Sequence, residues 1–162
     1  MRKYLLAITI IAVFIAIAGF TVNNRGENEV PYPEGYRKWT HVKTTVDGSK
    51  NLNTKTKGEF HHIYANDKGI IGYETGKFPE GSILVFDVME ALDTNNNTVE
   101  GKRKYVALMI KDSLKFKDRS GWGFELFKGD SKTERSLNAS GKDKCYSCHI
   151  QQDDLVWSKW RD

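Results

Sequence analysis

The chain has 162 residues, of which 39% are hydrophobic and 28% charged, with a formal net charge of +4. This is the balance of a single globular domain, and it excludes a wholly disordered chain or a polytopic membrane protein. Two cysteines cannot build a disulfide-dense scaffold or a four-cysteine zinc site, and so small a charge gives no footing for nucleic acid.

Arg2 and Lys3 open the chain, and an apolar run from Leu5 to Phe20 follows, broken only by Thr9 and Gly19. That is the pattern of an export signal. Residues 1–18 read as a signal peptide cleaved after Ala16-Ile17-Ala18, or as an N-terminal anchor with residues 4–20 retained in the inner membrane. No cysteine follows the run, so a lipid-anchored N terminus is excluded. Loss of Arg2 and Lys3 takes the 25 basic residues to 23 against 21 acidic ones, a net charge of +2. Residues 19–34 are polar, carry Pro31 and Pro33, and read as a flexible lead-in to one domain over 35–162.

Five strand-like runs follow, at Trp39–Val46, Glu59–Ala65, Ser82–Met89, Tyr105–Ile110 and Trp122–Phe127. In the second, Phe60, His62 and Tyr64 share one face, and His61, Ile63 and Ala65 share the other. The fourth is continuously apolar, as expected of a central strand buried on both sides. Asp47–Gly58, Asp93–Gly101 and Ser131–Lys144 read as polar loops. Asp67–Thr75 reads as a short helix weakened by Gly69 and Gly72. Residues 143–149 and 152–160 read as helical, the second capped by Asp153 or Asp154 and packing through Val156, Trp157 and Trp160. The expectation is an α+β domain, mainly an antiparallel β-sheet with a C-terminal helical segment.

Both cysteines lie in Cys145-Tyr146-Ser147-Cys148-His149. Cys-x-x-Cys-His is the attachment signature of c-type haem. Two thiols three residues apart match the two vinyl groups, and the adjacent histidine is the proximal iron ligand. The motif leaves other readings open. Zinc would need a fourth ligand from His41, His61 or His62, and adjacent Cys148 and His149 make a poor tetrahedral pair. A thioredoxin-like redox pair would sit early in a βαβ unit, and a plain disulfide asks for nothing further. One covalent haem c fits the export signal, since c-type haem is attached outside the cytoplasm, and points to the periplasm. Met89 and Met109, the methionines past the start, both fall in strand patterns and read as core rather than as a sixth ligand.

With a strand-rich body and a late haem motif, the sequence resembles the cytochrome P-460 family. The resemblance runs in order through Tyr32-Pro33-Glu34-Gly35-Tyr36-Arg37-Lys38-Trp39, His62-Ile63-Tyr64-Ala65-Asn66 and Thr75-Gly76-Lys77-Phe78-Pro79-Glu80-Gly81. It continues through Lys111-Asp112-Ser113, Gly121-Trp122-Gly123-Phe124, Cys145–His149 and Asp154-Leu155-Val156-Trp157. It implies a β-rich homodimer with a five-coordinate haem. The family has a hydroxylamine-oxidising branch, with a lysine cross-linked to the haem, and a c′-beta branch. The latter binds nitric oxide and similar diatomics under an apolar cap containing phenylalanine.

The position of the cross-linking lysine falls at Phe86, and no lysine occurs between Lys77 and Lys102. The position of the distal carboxylate falls at Ala107. Both departures point to the c′-beta branch. Cys145 and Cys148 are then expected to carry the haem, His149 to bind its iron, and Phe86 with Phe60 to line the distal pocket. The leading expectation is a binding protein for nitric oxide or a similar small ligand rather than an enzyme. The alternatives are a hydroxylamine or nitric oxide oxidoreductase and a periplasmic electron carrier serving a redox partner protein.

Overall fold

The computed structural model describes residues 29–48, 56–94 and 96–161. The residues read as signal or anchor lie outside that range, and no helix of the described residues is long and apolar enough to cross a membrane. The architecture is α+β. Strands β1 (Thr40–Gly48), β2 (Thr56–Ala65), β3 (Ile83–Thr94), β4 (Asn97–Lys111) and β5 (Trp122–Lys128) form one antiparallel meander in sequence order. Helix α1 (Asp67–Thr75) joins β2 to β3, and helix α2 (Ala139–His149) follows β5.

All five apolar runs are strands, and each strand extends beyond its run at one end or both, β1 and β2 taking in Asp47–Gly48 and Thr56–Gly58 from the expected loop Asp47–Gly58. The polar stretch Asp93–Gly101, expected as a loop, is mostly strand, with Thr94 paired to Asn97 across a tight turn. Asn96 takes φ 76° in that turn, a left-handed backbone that asparagine tolerates better than most residues.

Helix α1 spans the predicted residues. The Asn66 side chain accepts from the Gly69 N–H at 2.9 Å to cap its start, and Gly76 ends it at φ 76°. Its interior glycines weaken it locally but permit close packing. A Cβ on Gly72 would lie 2.1 Å from the Phe78 ring. Gly72→Ala should therefore lower stability by about 1–3 kcal/mol through overpacking, although alanine is the better helix former. Chemical denaturation checks this, and a rise in stability would contradict the packing.

Alternation along the strands gives the sheet two apolar faces. On the first, Val42, Ala65, Leu84, Met109, Trp122 and Phe124 are buried beneath Phe78 and Leu155, with side chains of α1, α2 and the C-terminal segment packed against them. On the second, Val85, Val106, Leu108 and Phe127 are buried with Val30, Tyr36 and Phe116. Residues 29–34, read from composition as part of a flexible lead-in, belong to this second core. Val30 is fully buried, Arg135 donates to its carbonyl at 2.7 Å, and Lys115 donates to that of Glu29 at 2.8 Å.

Two helix expectations need correction at the C terminus. Helix α2 starts at Ala139, inside the expected loop, because the Asn138 side chain caps it by accepting from the Gly141 N–H at 2.8 Å. The helix expected over 152–160 is absent, apart from a single 3-10 turn at Asp153–Leu155. Asp154 and Leu155 take φ 43° and 62°, so the chain leaves the turn instead of propagating a helix. A left-handed backbone costs about 1–2 kcal/mol per residue away from glycine, so these two residues must be held by contacts elsewhere.

Candidate functional site

Cys145, Cys148 and His149 stand at i, i+3 and i+4 of helix α2, one helical face. That face looks onto the first sheet face and forms one wall of a cavity of about 370 Å³. The volume falls in the range of small-molecule and cofactor pockets. The opposite wall is a row across four strands. Ile63 pairs with Phe86, Phe86 with Ala107, and Ala107 with Leu126, and all four line the cavity. Met109 and Phe124 continue it, and Trp157 of the extended tail reaches its edge with half its surface exposed.

The donor set suits a c-type haem. Both cysteines are free, Cys145 half-buried and Cys148 exposed. Burial, and then the nearby Cys148, pushes the Cys145 thiol above its ordinary pKa, so it stays a neutral thiol. His149 Nδ1 lies 2.7 Å from the Leu155 carbonyl oxygen. A carbonyl only accepts, so Nδ1 carries the proton and Nε2 keeps its lone pair for a metal. The Phe124 ring meets the His149 imidazole edge-on at 5.2 Å and limits its rotation. Among the described residues, no group of three or more His, Cys, Asp and Glu is arranged to hold a metal ion by itself.

Phe86 and Phe60 are not brought together. Phe60 lies three residues before Ile63, the cross-strand partner of Phe86, and an odd spacing on a strand puts it on the opposite sheet face. There it stacks on His62 at 5.5 Å, outside the cavity. His62 and His41 sit on the same opposite side, both bonded to the Thr44 hydroxyl. Burial holds His62 below the usual histidine pKa. His61 is on the cavity side of β2, 4.8 Å from Phe86 beyond the lining residues, between the carboxylates of Asp47 and Glu59. Met89 is buried away from the cavity, and Met109 is in its wall.

Two features of the site carry no sequence signal. Glu125, 1% exposed, is the sole acidic residue that lines the cavity among the described residues, and alternation between Phe124 and Leu126 puts its side chain on the other sheet face. It turns to the sheet edge, where Arg135 Nη1 lies at 2.9 Å and Lys142 Nζ at 3.2 Å. Asp154, expected as a helix cap, is instead a hub. Its carboxylate accepts from the Phe78 N–H at 2.8 Å, Trp122 Nε1 at 3.1 Å and Lys111 Nζ at 2.7 Å. Burial would raise its pKa, but these three donors outweigh burial and hold it below the ordinary carboxylate value.

The family model for Cytochrome P460 matches residues 33–158. No curated protein matches the chain.

Proposed function

The chain belongs to the cytochrome P460 family, a family of haem c cytochromes, and from that premise we propose that it is an exported protein that binds nitric oxide or a similar small neutral ligand. The observation that carries this reading is the apolar cavity with Cys145, Cys148 and His149 on one wall and the Ile63–Phe86–Ala107–Leu126 row on the other. Cys145 and Cys148 would hold one haem covalently, a thioether each, and His149 Nε2 would bind its iron. Such a haem would supply an iron able to bind a small ligand. Phe86 and its neighbours offer no hydrogen-bond donor or acceptor there. They exclude water and favour a ligand that needs no proton transfer. In the cell the protein acts as a periplasmic homodimer, consistent with the N-terminal signal pattern and the family resemblance.

A second reading, hydroxylamine oxidation, draws on one observation: Glu125 is the sole acidic residue lining the cavity among the described residues, but its side chain turns to the other sheet face. Its two cationic partners and its accepted bond from the Leu126 N–H occupy the oxygens a general base would need free. Spectroscopy of the purified holoprotein separates the readings. The ferrous form should be high-spin and five-coordinate, bind nitric oxide, and leave hydroxylamine unconsumed. A strongly red-shifted Soret band with hydroxylamine turnover would overturn the proposal in favour of the enzyme. A low-spin, six-coordinate spectrum in both oxidation states would overturn it in favour of an electron carrier ligated by Met109.

A further inference from the structure

We infer that Asp154 is a positioning residue for the proximal histidine, clamping the left-handed Asp154–Leu155 pair so that the Leu155 carbonyl orients His149. The inference rests on the haem reading above and deepens it.

The strained pair comes first. A non-glycine left-handed residue is uncommon, and a leucine there more so, yet two occur in succession at φ 43° and 62°. Such strain persists only where the surroundings over-determine it, and it concentrates at functional positions. Here the surroundings are identifiable. Three donors from three separate parts of the fold converge on one carboxylate: Lys111 at the end of β4, Trp122 at the start of β5, and the Phe78 backbone before β3. Lys111 also sits 5.0 Å over the Trp122 ring, and Trp122 is fully buried, so the donors themselves have little freedom.

The purpose of the clamp shows in the next residue. The Leu155 side chain is buried in the first core and its carbonyl receives His149 Nδ1 at 2.7 Å. The imidazole is thus set by a backbone oxygen whose place depends on Asp154. The outer partner of a metal-binding histidine fixes its tautomer and ring direction and tunes its basicity. A neutral carbonyl draws the Nδ1 proton less strongly than a carboxylate would.

The test compares holoproteins carrying Asp154→Ala, Asp154→Asn and Lys111→Met. Val30→Ala, which opens a cavity in the core of the second sheet face, serves as a control that is destabilised without touching the clamp. Haem content is measured first, by mass and absorbance. The ferrous iron–histidine stretching band and the midpoint potential are then recorded. Asp154→Ala should shift and broaden the band and move the potential while haem stays attached. Asp154→Asn should recover most of the wild-type band, because asparagine accepts the left-handed backbone and can still take the Phe78 N–H. Val30→Ala should leave the band in place. Should Asp154→Ala not fold, Lys111→Met and Asp154→Asn must still shift in the same direction by smaller amounts. A wild-type band and potential in every clamp variant, at full haem content, overturns the positioning role and leaves the haem reading intact. Absence of bound haem from the wild type overturns the haem reading itself, and with it this inference.

Discussion

Asp87→Ala is expected to cost about 3 kcal/mol of folding stability, the low end of the range for breaking a buried ion pair. Asp87 is fully buried on the second sheet face. Arg37 Nε donates to Oδ2 at 2.8 Å and Arg103 Nε to Oδ1 at 2.7 Å. The Tyr36 hydroxyl is buried beside the same carboxylate without good hydrogen-bond geometry. Removing Asp87 leaves two guanidinium groups short of a partner, though each keeps a second one, Glu100 for Arg37 and Asp130 for Arg103. That residual pairing is why the low end applies. The loss is large against the 5–15 kcal/mol that holds an ordinary domain together. It should also loosen the N-terminal arm, because Arg37 and Tyr36 bring residues 29–39 onto the sheet through this group.

The same site sets an acid limit. Burial would raise the Asp87 pKa, but the hydrogen bonds from Arg103 and Arg37 outweigh it and hold it below the ordinary value of 3.8. A carboxylate depressed on folding stabilises the protein above its unfolded pKa, and that stability is lost as pH falls through the folded value. Wild-type stability should therefore decline below about pH 4, and Asp87→Ala should flatten that decline. Equal acid sensitivity in urea melts of the two proteins would remove Asp87 from the explanation.

Cys148→Ala is expected to abolish stable haem attachment. The helix sets both cysteines and His149 on one face of the cavity, so in the proposed holoprotein each thioether would help fix the haem plane that the other and the imidazole require. With one sulfur gone, the macrocycle can swing about the remaining bond and the histidine no longer meets a fixed iron. Because a ligand bound only to the folded state stabilises it, the variant should also melt at lower temperature than the holoprotein. Haem staining on a denaturing gel reads the covalent bond directly. Covalent haem at normal yield in Cys148→Ala would overturn the assignment of the motif.

The sequence was most readable where one period dominated. The runs at Ser82–Met89 and Tyr105–Ile110 announced buried strands, and alternation in Glu59–Ala65 sorted its residues to the correct faces. The same alternation separates Phe60 from Phe86. The contradiction was present in the sequence once Ile63 is known to pair with Phe86, but the pairing register is a long-range fact. Asp93–Gly101 looked like a loop because its residues are polar, yet an exposed hairpin end needs no apolar face. Asp154 misled for another reason. An aspartate before Leu-Val-Trp has the form of a helix cap, and only the converging donors from Phe78, Lys111 and Trp122 reveal that it bonds elsewhere. Such convergence joins residues more than 30 positions apart and leaves no local trace.

Phe86 and Asp87 are neighbours on β3 with opposite surroundings, an apolar cavity wall on one side and two arginines on the other. Sliding β3 by a single residue would exchange them. A bare carboxylate would enter the cavity, and a phenyl ring would be pressed against guanidinium groups. Most strands guard their alignment through one buried face, with the other indifferent to a slip. Here both faces reject the slipped form at once, one by desolvation of a charge and the other by loss of its counter-ion. Mispaired intermediates should thus be sparsely populated during refolding.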